Sequence, residues 1–231
     1  MLDIKTLYMI SVAVTLLGAG AALLTWYHHR DAPSLRAWAC ALLLANAGTL
    51  LLRWRGPFGS VNATLAADTL IIAGFAVVWT SQYLTNRDKF TIGRQAGITV
   101  GLCGLFMALF FVIFAAGDGQ GMRSTYLLFT LFIGALSLAT AWEFHRGMAR
   151  DGLQSRTVVV WAFVGMAIAR VVRGTVLALE TTNVIDGSLS HIITGYALYA
   201  TVILVLAITY GLVLMANEGA ARRDQQLFAG G

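Results

Sequence analysis

The chain has 231 residues, 58% hydrophobic and only 12% charged, with a formal net charge of +5 and a mean hydropathy of +0.74. A soluble domain of this length carries about twice that charged fraction, so no soluble domain of useful size fits. The basic residues sit in short segments between apolar runs rather than in a stripe, which argues for membrane topology and against nucleic-acid binding.

The apolar runs reach the ~20 residues needed to span a bilayer and lack the alternation of a barrel strand. They predict an all-α polytopic membrane protein, a seven-transmembrane-helix bundle. Span 1 covers Thr6–Tyr27 and ends at His28, His29 and Arg30. Its leader has no net positive charge, so it reads as a membrane span and not as a signal peptide. The others are Leu35–Arg53, Val61–Leu84, Ala96–Ala116, Ser124–His145, Thr157–Glu180 and His191–Met215. Residues 1–216 form the membrane domain and 217–231 a cytoplasmic helical extension of span 7.

Orientation follows from the loops. Those after spans 1, 3 and 5, together with the tail, hold ten basic residues; the opposite side holds four, Lys5, Arg53, Arg55 and Arg123. The bias puts the N-terminus outside and the C-terminus in the cytoplasm of a bacterial inner membrane. Both prolines, Pro33 and Pro57, lie in loops. The absence of broken spans lowers the expectation of a transporter.

Span 6 carries Arg170 and Arg173 inside an apolar run, and charges at membrane depth persist mainly against a partner, a bundle interior or water. Counting the ~1.5 Å rise per residue puts Arg173, Asp68, Asn46 and Tyr199 at one level, ~10 Å from the outer face, with Arg170 a turn deeper. Glu180, on the stripe of Arg173, and His191 fall at the outer mouth. The expectation is an outward-open cavity with a cationic floor, for an anionic or polar small molecule, around an Asp68–Arg173 pair. Such a pair can equally serve only to lock helix packing.

Other features are weaker. Gly93, Gly97 and Gly101 form a small-residue stripe, read as intramolecular packing ahead of a homodimer face. Cys40 and Cys103 read as free, buried thiols. His28, His29 and His145 read as interfacial anchors rather than metal or haem ligands. Trp38, Trp54, Trp79, Trp142 and Trp161 read as an aromatic belt. Glu143 is expected in a solvated pair with Arg146 or Arg150. Span 7 has no lysine, which excludes a retinal Schiff base there. No catalytic motif and no cofactor or metal site is found.

The opening MLDIKTLYMISVAV, the second-span pattern LRAWACALLLANAGTLLLRWRG, the third-span ending WTSQYLTNRDKF and the closing YGLVLMANEGAARRDQQL are similar to the N-terminal membrane regions of bacterial diguanylate cyclases. The resemblance implies a sensor that signals through span 7 to a cytoplasmic GGDEF output domain, in a homodimer. This chain contains no GGDEF motif, so no cyclase activity is carried over to it. The expected function is a signal-transduction module that detects a small ligand or membrane state. The alternatives are a small-molecule or ion transporter or channel, and a structural subunit of a membrane complex.

Overall fold

A computed structural model describes residues 4–30, 32–53, 60–117, 121–181 and 187–229. Among them there is no strand. The helices are α1 (Ile4–His28), α2 (Pro33–Arg53), α3 (Ser60–Thr85), α4 (Ile92–Ala116), α5 (Gly121–Asp151), α6 (Arg156–Thr181) and α7 (Gly187–Ala229). All seven contain a stretch long and apolar enough to cross a membrane. Pro33 opens α2, a position where its missing N–H costs no helical bond. Thr91 starts α4 earlier than apolarity alone predicts: its backbone is extended and its hydroxyl accepts from Arg94 N at 3.4 Å. The largest departure is α5, which runs on to Asp151, while α7 continues as one helix to Ala229.

Six of the helices close a ring in the order α1, α2, α3, α5, α6, α7, each packed on the next and α7 returning to α1. The fourth helix stands outside, against α3 and α5. The larger core cluster fills one half of the ring around Trp38, Phe144, Phe163, Ile208 and Leu212. A second cluster, around Phe106, Phe110 and Ile133, joins α4 to α3 and α5.

Helices α2 and α3 meet backbone to backbone at two glycines. A Cβ on Gly48 would lie 2.6 Å from Ala67 O, and one on Gly74 would lie 2.9 Å from Ala41 O. The stripe noted in the sequence behaves otherwise. A Cβ on Gly93, Gly97 or Gly101 would meet nothing within 4 Å. The packed face of α4 is Thr99, Cys103, Phe106 and Phe110, and successive ~100° turns place the glycines on the far side. The intramolecular packing expected of that stripe is therefore corrected. Gly97→Ala and Gly101→Ala together should leave thermal unfolding in detergent unchanged or raise its midpoint, since each adds up to ~1 kcal/mol of helix propensity without a clash.

Further expectations change once packing is seen. Trp38 is not part of a belt: it is buried, and its Nε1 donates to Thr209 Oγ1 at 2.9 Å. Trp142 and Trp161 are exposed, and Trp54 lies outside the described residues. Cys103 is buried, but Cys40 is exposed, because it lies between the buried positions of α2. Glu143 is buried and pairs across the bundle with Arg87 at 3.1 Å, not with its neighbours Arg146 or Arg150. Asn86 Nδ2 adds a bond to Glu143 Oε2 at 2.9 Å.

Candidate functional site

The six-helix ring encloses a cavity of about 280 Å³. Its polar wall includes Asn46 of α2, Asp68 of α3, and Arg170 and Arg173 of α6, so four of the residues singled out by depth line one space. Helix α1 contributes Ser11 and Thr15, α5 contributes Tyr126 and Phe129, and α7 contributes Leu198 and Thr201. The apolar part is formed by Trp38, Phe75, Phe129 and Met166, among others.

Asn46 is 5% exposed and bridges α2 to α1. Thr15 Oγ1 donates to Asn46 Oδ1 at 2.8 Å. The same hydroxyl lies 2.7 Å from Ser11 O, so its one proton is shared between helix backbone and amide. The other end of the amide, Nδ2, has no hydrogen-bond partner among the described residues. A buried donor left unmatched costs ~1–3 kcal/mol.

Asp68 is also buried, at 4% exposure. Asp68, Arg170 and Tyr126 each have interactions of their own. The expected Asp68–Arg173 ion pair is absent from the pairs between described residues. Arg173 instead places its guanidinium 5.1 Å from the centre of the Tyr126 ring, a contact that such a cation makes when it lies over the electron-rich face. Asn46, Asp68, Arg170 and Arg173 share one cavity, but direction around a helix does not follow from position along it. The neighbouring α5 supplies the aromatic face that Arg173 takes.

Two other candidates, Tyr199 and Glu180, fall away from the cavity wall. Tyr199 is 53% exposed on the outer side of α7. Leu198 and Thr201, three residues apart, carry the inward face instead. Glu180 is half-buried, has an interaction of its own and is not among the residues of the cavity lining. The side chain of His191 lies outside the described residues. Sequence reading missed Thr15 and Tyr126. A hydroxyl in the middle of α1 was the available signal for the first, and nothing marked Tyr126 apart from other aromatics.

One part of the cavity wall is the buried Trp38. It is held by Thr209, with Phe163 against Trp38 at 5.9 Å between ring centres. Beyond this packing lies the polar end of the bundle, where all four ion pairs between described residues gather. Here α5 ends at Gly152, whose φ of +62° is the left-handed conformation glycine adopts most readily.

One α7 residue holds the turn that follows. The carboxylate of Glu218 accepts from Gln154 N and Ser155 N, each at 3.2 Å, and from Ser155 Oγ at 2.7 Å. Arg222, one turn further, donates to Glu218 at 2.9 Å, to Asp151 O at 2.6 Å and to Gly152 O at 3.0 Å. The carboxylate thus satisfies backbone donors just before α6, where the helix dipole favours negative charge.

No protein-family model, curated protein or solved structure matches this chain. Among the described residues no cluster of His, Cys, Asp or Glu is arranged to hold a metal ion.

Proposed function

We propose that the chain is a membrane sensor module whose ring cavity receives a small ligand and whose α7 carries the response to a cytoplasmic output domain. The observation that carries this reading is the reach of α7. Leu198 and Thr201 line the cavity, Glu218 and Arg222 grip the α5–α6 turn, and the same helix runs on to Ala229. A change of packing around the ligand therefore acts on the element that leaves the bundle. In this reading the ten-to-four bias of basic residues sets the C-terminus in the cytoplasm of a bacterial inner membrane. The similarity of the quoted motifs to diguanylate cyclase sensor regions gives the output domain its expected kind, and a homodimer its rationale.

A transporter requires a polar route through the bundle. The apolar plug of Trp38, Phe163, Ile208 and Leu212 stands between the cavity and the polar end, which favours the sensor.

The test is a distance measurement by spin labels at the exposed positions Ala149 on α5 and Gln225 on α7, in the full chain reconstituted in bilayers. Asp68→Leu with Arg173→Leu alters both sides of the cavity. The expected outcome is a changed distance distribution in this double variant while the helical fold is kept. An identical distribution in a folded double variant refutes coupling between cavity and α7.

A further inference from the structure

We infer that the ligand of the ring cavity is a small monoanion, a carboxylate attached to an apolar body. This rests on the proposal that the cavity is a ligand site, and deepens it.

The argument comes from hydrogen-bonding capacity left unused on the cavity wall. Asn46 is 95% buried, from its 5% exposure, and its Nδ2 has no partner among the described residues. A buried amide nitrogen in that position is matched by an acceptor. Arg173 is the second group. Its guanidinium carbon lies over the Tyr126 ring, 5.1 Å from the centre, and one ring contact does not use the several N–H donors of such a cation. No carboxylate among the described residues is within ion-pair distance of it. The acidic group on the wall, Asp68, is already engaged, and so is Arg170. Asn46 Nδ2 and Arg173 are thus two donor groups on one cavity wall, and one of them is a cation.

A ligand that satisfies both presents acceptor oxygens and one negative charge. A carboxylate does this with two oxygens on one carbon, a geometry that suits the guanidinium edge. Charge matters here, because a guanidinium with no described carboxylate at ion-pair distance is costly away from water and an anion relieves that cost.

The rest of the wall sets the body of the ligand. Trp38, Phe75, Phe129 and Met166 offer apolar and aromatic surface away from the donors. The volume, about 280 Å³, lies at the lower edge of the ~300–1,000 Å³ common for small-molecule sites. It suits a short acyl or aryl chain and is too small for a nucleotide or a folded peptide.

The experiment uses the full chain in lipid nanodiscs, with a matched panel of probes. Acetate, butyrate, hexanoate and phenylacetate are titrated by calorimetry up to about 10 mM, beside their primary amides, a range that still registers weak ligands. The expected result is saturable binding of at least one longer carboxylate, with the matching amide weaker by about tenfold or more. Arg173→Gln and Asn46→Asp should each weaken that carboxylate by a similar factor, with Arg173→Lys retaining part of the binding. Asn46→Asp is informative because it keeps an acceptor for Thr15 while replacing the donor with a negative oxygen. Thermal unfolding of each variant establishes that it is folded, and Arg173→Lys serves if Arg173→Gln is not.

Two results overturn the inference differently. If amides bind as well as carboxylates, and Asp68→Leu weakens them, the anionic class is wrong and the cavity remains a ligand site. If no carboxylate shows saturable binding, the anionic class is also wrong. If in addition no amide binds, the ligand-site reading itself falls.

Discussion

Gly48→Val is expected to separate α2 from α3 and lower stability by about 3 kcal/mol or more, beyond the usual penalty for overpacking because the obstacle is backbone. The first added carbon would already lie 2.6 Å from Ala67 O and 2.9 Å from Ile71 Cγ1. Neither contact relaxes by turning a flexible side-chain end. The reciprocal contact, Gly74 on Ala41, predicts the same for Gly74→Val. The effect reaches the site directly. Asn46 precedes Gly48 by two residues on α2, and Asp68 follows Ala67 on α3. A thermal unfolding midpoint in detergent unchanged by Gly48→Val would show that the close crossing is not made. The paired alanines on α4 provide the control, since they change glycine to a larger residue with no neighbour to strike.

Glu218→Ala should release the α5–α6 turn from α7. Three donors lose their acceptor at once, and Arg222 loses its carboxylate. Removing a side chain that caps helix-terminal N–H groups costs ~0.5–2 kcal/mol. The side chain is 27% exposed, so water compensates part of that loss. The stability change is therefore modest, near ~1 kcal/mol. The sharper readout is local: amide hydrogen exchange at Gln154 and Ser155 should speed up by on the order of tenfold while exchange in the core of α6 stays slow. Unchanged protection of both amides would mean that α7 does not hold the turn. Glu218→Gln keeps the acceptor oxygen but not the charge, and should fall between the two.

Much of this architecture was written in the apolar runs. Seven spans, their order and most of their ends follow from run length, because a bilayer-spanning helix needs a fixed length of apolar chain. That Asn46, Asp68, Arg170 and Arg173 meet in one space was also legible, since a constant rise per residue says which residues of neighbouring helices can share a level. Direction around each helix was not. Tyr199 is exposed and absent from the cavity wall, and Arg173 turns to an aromatic ring on α5 instead of to Asp68. Facing is set by neighbours, and the ring order that puts α4 outside is not encoded in any one span.

Glycines illustrate the same limit. Gly93, Gly97 and Gly101 have a spacing that suggests close packing, yet open space surrounds them. Gly48 and Gly74, with no such pattern, carry the tight crossing. Glu218 was hidden for a related reason: its partners are backbone N–H groups 63 and 64 residues earlier, which have no residue-type signature.

The unbroken α7 sets more than reach. At 43 residues it is about 65 Å long, and it contains no proline to absorb a twist. Because each residue advances the helix by ~100°, a domain fused at its end is held in a particular phase relative to the cavity. Adding residues one at a time after Arg223 would therefore rotate that domain stepwise around the axis. Its output, in the proposed sensor, would rise and fall with a period of about 3.6 insertions instead of declining steadily with length. Sensor and output would then be matched by helical register as much as by chemistry, and a domain borrowed from another protein would work only when joined in the right phase.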